Sequence, residues 1–152
     1  MLKQTNHLLS KANHHLSKDG ISLSVCFVAL FGQWTVGCIS KTWIDAETFC
    51  ISTGGNLASI HSDEEHKFIK DFINQVTGTD KNAWIGGSDA VRAGTWLWND
   101  GSNFNYKSWA AGEPNAIGVD HCLMQNWALV TGWFDGTCTT QASFVCSKNL
   151  LL

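Results

Sequence analysis

The stretch WAAGEPNAIGVDHC, residues 109–122, carries the side chains whose types and spacing could do chemistry. Pro114 is the only proline in the 152 residues. It stands between the carboxylate of Glu113 and the amide of Asn115, with another acid, Asp120, five residues on. These groups offer oxygen atoms and hydrogen bonds. Elsewhere the chain shows no nucleophile–base pair, no paired catalytic carboxylates and no phosphate-cradling glycine motif, so an enzyme is not expected. His61 and His66 are five apart without an H-E-x-x-H pattern, and they read as part of a solvated helix start, not a zinc site. The acids at 63–65 suit the positive end of that helix.

Composition narrows the classes further. A chain of 152 residues fits one domain with a substantial core. The net charge is −3 and no cluster of Lys and Arg occurs, so nucleic acid is not an expected partner. Six cysteines, at 26, 38, 50, 122, 138 and 146, contain no C-x-x-C pair. They therefore point to an oxidising compartment over a metal site, and counting alone leaves their connectivity open. Most of the eight tryptophans lie between Trp84 and Trp133. They read mainly as core, with one or two at a binding surface.

Residues 1–40 read as a leader and 41–149 as the folded domain. Lys3, Lys11 and Lys18 face one acid, Asp19, before an uncharged run from Ile21 to Ser40 whose apolar part is Ile21–Phe31. Three readings stand open. One is a secretory signal with a cleavage point near Thr35-Val36-Gly37. The second is an uncleaved signal-anchor that leaves the basic leader cytoplasmic, with Gln33 and Trp34 weighing against it. The third is a first strand of the domain. In each of them His14 and His15 belong to a polar leader.

The elements that must position the loop follow in order. Thr42 with Asp45 starts a helix in which Trp43, Ala46, Phe49 and Cys50 share helical spacing, and Gly54-Gly55 ends it. Ser62 with Glu65 starts a second, with an apolar stripe of Phe68, Ile69, Phe72 and Ile73 and a stop at Gly78. AWIGGSDA reads as a short buried strand, and Asp100-Gly101 as a turn among alternating aromatic and polar residues. From Gly101 to Asp120 there is little periodicity, which marks a long loop of the kind that is usually functional or disordered. Two strands, HCLMQNWALV and SFVCSKNL, are expected on either side of a turn-rich TGWFDGTCTTQ. Helices first and short strands later make an α+β order.

Three blocks together resemble the C-type lectin-like domain: TWIDAETFC with GGNLASIHS, WIGGSDA…GTWLWNDGSNFNYKSWAAGEPN, and HCLMQNWALVTGWFDGTCTTQASFVC. The wording is most similar to small fish lectins, a group that includes type II antifreeze proteins. The likeness runs from Thr42 to about Lys148. It implies two helices flanking small antiparallel sheets, a long calcium- and sugar-binding loop, and disulfides Cys50–Cys146 and Cys122–Cys138. The N-terminus departs from the family pattern. Trp34 stands eight residues after Cys26, and Cys38 lies too near Cys50 for the usual first strand. Loss of Cys26 with a signal would leave five cysteines and an odd thiol open to intermolecular pairing.

By the same resemblance, Glu113, Asn115, Asp120 and Asp135 are the candidate ligands of a calcium ion and of the sugar it holds. A hard cation takes six to eight oxygens, and a cis proline in family members turns both of its neighbours to one point. The Glu-Pro-Asn order is the mannose-type arrangement, whereas galactose-type members read Gln-Pro-Asp. Asp120 stands where the family has Glu, and Phe134 stands where it has an Asn ligand. The leading expectation is thus a secreted, calcium-dependent lectin for glycans with mannose-type vicinal hydroxyls. The alternatives are a calcium-independent protein-binding receptor or decoy, membrane-bound if residues 21–40 are an anchor, and an ice-binding protein using Thr137, Thr139, Thr140 and Ala142.

Overall fold

The computed structural model describes residues 33–127 and 130–148. The basic leader, the run Ile21–Phe31 and Cys26 lie outside the described residues, and with them the signal and anchor readings. Of the uncharged run only the end is described, and it is a strand, β1 (Trp34–Lys41). This strand pairs antiparallel with the last one, β7 (Ala142–Lys148), with Trp34 opposite Ser147 and Gly37 opposite Phe144.

Helix α1 (Trp43–Ser52) begins where its cap demands. Thr42 accepts from the Asp45 N–H and donates its hydroxyl back to the Asp45 carboxylate at 2.7 Å. After the short β2 (Gly55–Leu57), α2 (Asp63–Thr77) is capped by Ser62, whose side chain accepts from the Glu65 N–H. The Glu65 carboxylate reaches back one residue further than a capping box requires, to the N–H of His61 at 2.7 Å. Gly78, at φ 76°, closes α2 in the left-handed region. The helix buries Ile69, Phe72 and Ile73, as the apolar stripe dictates.

The sheet runs β1–β7–β3–β5–β6, with β3 at Ala83–Ser88, β5 at Cys122–Trp127 and β6 at Val130–Gly136; β2 joins β7, and β4 (Leu97–Trp98) joins β3. All pairings are antiparallel except β3 with β7. Two apolar clusters form, one containing Trp84, Phe144 and the α1 residues Ala46 and Cys50, the other packed under α2 around Ile85, Leu123 and Trp133. Disulfide Cys50–Cys146 ties α1 to β7, and Cys122–Cys138 ties the start of β5 to the turn after β6. The first closes 96 residues of chain, which in chain-entropy terms stabilises the fold by about 4–5 kcal/mol.

One element departs from expectation. The segment read as turn-rich contains β6, a full strand paired along β5 from Cys122–Gly136 to Gln125–Trp133. Its glycine signals contact rather than a turn: Gly132 has φ 130°, and a Cβ there would stand 2.8 Å from the Ala110 backbone. The long loop passes too close to admit a side chain.

Candidate functional site

Between Asn99 and His121 the chain forms neither helix nor strand apart from a bridge of Trp109 to Trp133. Side chains hold it instead. Trp96, Trp98, Phe104, Tyr106 and Trp109 gather at its base, and the last four each meet the fully buried Trp133 with ring centroids 5.5–6.0 Å apart. The alternation of aromatic and polar residues along this stretch is therefore an inward-facing row, which fixes a loop that secondary structure does not. On the far side, buried Asp89 accepts from the Gly94 N–H at 2.6 Å and lies 2.7 Å from His121 Nδ1, pinning the turn after β3 beside the loop's return.

At the tip, Glu113–Pro114 is a cis peptide bond, and the Asn115 amide donates to Glu113 Oε1 at 2.8 Å. Asp135, on β6, accepts from the backbone N–H of Asn115 at 3.1 Å and of Ala116 at 2.9 Å. One carboxylate thus ties the loop to the sheet across twenty residues of sequence. Asp120 accepts from the Thr137 hydroxyl at 2.7 Å. All four candidates from the sequence, together with Phe134 and Thr137, line one cavity of about 240 Å³.

The electrostatics of this cavity are one-sided. Its lining holds three carboxylates and no basic side chain. Glu113 is pushed up to about 7, first by burial and then by the Asp135 carboxylate, with Asp120 adding to it. Its Oε2 is buried and has no hydrogen-bond partner. Carboxylate and amide oxygens around an unbalanced negative charge are the donor set of a hard cation, and the unpartnered Glu113 oxygen is the position such an ion would satisfy. The residues fit calcium in kind. They do not gather unaided, for among the described residues no three His, Cys, Asp or Glu side chains are close enough to hold a metal ion. The reason is visible in the hydrogen bonds: Asp135 is turned to the loop amides and Asp120 to Thr137.

Other expectations are redistributed. Among the described side chains no tryptophan lines the cavity, and the tryptophans fill the core or the loop base. Thr137, Thr139 and Thr140 are exposed but Ala142 is buried, so the four cannot form one flat face. His61 is exposed, within reach of Ser59 at 3.0 Å and Ser102 at 3.1 Å. His66 is not solvated: it is half-buried, with Ser108 on Nδ1 and the Trp133 ring on its face, because the long loop folds back over the start of α2. Thr137, read from the sequence only as part of an ice-binding set, reaches the cavity because the disulfide of the next residue, Cys138, brings it to Asp120. Met124, also in the lining, went unread and is marked only by strand alternation from Cys122.

Residues 39–148 match the lectin C-type domain family. The galactose-specific lectin nattectin of Thalassophryne nattereri is 45% identical over 112 residues, which span 73% of this chain and 70% of that protein. A type-2 ice-structuring protein of Hemitripterus americanus is 40% identical over 110 residues, 72% of this chain and 64% of that one. Among solved structures, a calcium-independent type II antifreeze protein superposes with a TM-score of 0.69 at 36% identity, over 80% of this chain and 90% of that one.

Proposed function

The chain belongs to the C-type lectin domain family, and from that premise we propose that it is a calcium-dependent glycan-binding module, not an enzyme, with the mannose-type selectivity implied by Glu113-Pro114-Asn115. One observation carries the reading. Four oxygen-bearing side chains from the loop and β6 meet on one cavity, where a buried Glu113 oxygen lacks any partner. Glu113, Asn115, Asp120 and Asp135 would hold the ion. Calcium, when bound, supplies further coordination for two neighbouring sugar hydroxyls. The chain's own part is to orient those hydroxyls: the Glu113 carboxylate accepts from them and the Asn115 amide donates. The nattectin relative is galactose-specific by name, whereas here Glu113 and Asn115 stand where galactose-type members of the family read Gln and Asp.

The test is retention on mannose–agarose with calcium, followed by a chelator. Retention that the chelator abolishes is expected. Retention on galactose–agarose alone would overturn the mannose assignment, and exchanging Glu113→Gln with Asn115→Asp should move binding from mannose to galactose. Disulfides between described cysteines support a secreted or otherwise extracytoplasmic location. Among the described residues no helix is long and apolar enough to cross a membrane.

A second reading has its own observation. Phe134 lines the cavity where the family carries a ligand, and both Asp135 oxygens already accept loop amides. The loop can therefore keep its shape without an ion. A calcium-independent module for protein or ice is the corresponding function, and column behaviour indifferent to calcium and chelator, with or without thermal hysteresis, is its mark.

A further inference from the structure

The root of the long loop is strapped to α2 at two points. Asp63 and His66 lie three residues apart and so share a helix face, while Tyr106 and Ser108 lie two apart and share a side of an extended chain. The pairs meet. The Tyr106 hydroxyl donates to Asp63 Oδ1 at 2.7 Å, and Ser108 Oγ lies 2.8 Å from His66 Nδ1. The His66 ring also stands edge-on to Trp133, with centroids 6.2 Å apart. From the sheet side, the Trp133 backbone N–H donates to the Ser108 carbonyl at 2.8 Å and the Ala110 backbone N–H donates to the Trp133 carbonyl at 3.0 Å. Strand β6 then runs directly from Trp133 through Phe134 to Asp135.

We propose that Asp63 and His66 are positioning residues of the ligand loop: through Tyr106 and Ser108 they set where the loop leaves the body, and so hold Glu113 and Asn115 over Asp135. The inference rests on reading that loop as the ligand site. Neither residue lines the cavity. A purely structural role for α2 is met by its apolar stripe of Ile69, Phe72 and Ile73, further along the helix. The polar groups at 63 and 66 bond the loop, and the His66 ring also packs on Trp133.

The strap works with a neutral imidazole. His66 Nε2 is buried without a partner, so a ring carrying both protons would hold a charged donor with no acceptor. Burial accordingly holds the ring below its ordinary 6.5, with Asp63 opposing the shift and Lys70 assisting it. From the loop the titratable neighbour is Tyr106, itself bonded to Asp63, and β6 presents the neutral Trp133 indole. The opened strap binds protons more readily than the closed one. Closure is therefore favoured above pH 6.5 and weakens as pH falls through that value.

Amide hydrogen exchange of the ligand-free protein, corrected for intrinsic rates, tests the strap at Ala110 and Trp133. Wild-type protection there should fall between pH 7.5 and 5.5, with about tenfold as the ceiling. His66→Gln, which keeps a polar group but does not titrate, should show no such fall. Tyr106→Phe should lower protection by about threefold to tenfold at both pH values. Methyl α-mannoside affinity, measured with calcium at pH 7.5, should weaken in the order in which protection is lost. An acid-induced fall that survives in His66→Gln, or unchanged protection in Tyr106→Phe, overturns the proposal. If His66→Gln does not fold, Tyr106→Phe decides alone. Should the wild type bind no methyl α-mannoside, the lectin reading fails, while the exchange data still decide the strap.

Discussion

Glu47 and Glu113 are the same side chain in opposite surroundings, one at the α1 corner and one at the loop tip. Glu47 is buried within α1, and donors surround it: the Leu57 N–H at 2.7 Å and the Asn56 amide at 2.5 Å. It joins α1 to β2 and leaves its oxygens no unmet demand. Glu113 is partly buried among acceptors, with Asp135 and Asp120 nearby, and one of its oxygens has no partner. The first arrangement closes a fold. The second keeps a carboxylate short of positive charge, the condition in which a cation has most to offer.

The largest break in this comparison should come at the closed corner. Glu47→Ala strands the buried Leu57 N–H and removes the bond to the Asn56 amide, and should cost about 2 kcal/mol, a thirtyfold shift in the folding equilibrium by denaturant titration. A loss under roughly 0.5 kcal/mol would show that Glu47 is not the structural carboxylate described. Next, Phe134→Asn adds an oxygen to the cavity and removes bulk. Calcium affinity by calorimetry should rise about tenfold. Equal affinity in the two proteins would remove Phe134 from the account of the site.

The smaller effects sharpen the loop side. With chelator present, Glu113→Gln should raise the melting temperature by roughly 2–5 °C at pH 8 and leave it unchanged near pH 4. The sign follows from the raised carboxyl: between 4.5 and about 7 the folded chain binds more protons than the unfolded one, so this group's contribution to stability falls as pH rises through that window. A variant less stable than wild type at pH 8 would contradict it. The smallest effect is at His66, whose lowered value works in the other direction. Its contribution is present above pH 6.5 and lost below it. In His66→Gln the melting temperature should therefore change less than the wild type's, by about 1–3 °C, between pH 7 and 5.

Much of the fold could be read along the chain because its signals are local. Thr42 and Ser62 cap helices through residues three positions on, Gly78 stops one by its own conformation, and the apolar stripe of α2 needs only helical spacing. The candidate ligands were legible through the resemblance, and the disulfide pairing it implied is the pairing found. Strand β6 was hidden because Gly132 imitates a turn signal, while its real cause is the Ala110 backbone passing over it. His66 looked solvated because nothing near it in sequence announces that Ser108 and Trp133 will cover it.

By itself, then, the sequence determined the helices, their ends, the donor-bearing loop and the substitution at Phe134, all of which depend on residue type and short spacing. The tertiary structure alone decided that Asp135 grips the amides of Asn115 and Ala116, that Glu47 is satisfied while Glu113 is not, and that α2 straps the loop root. Those outcomes turn on which groups surround a given atom and on how much water is excluded. Charge balance and hydrogen-bond satisfaction are sums over neighbours in space, and here those neighbours come from ten to more than forty residues away along the chain.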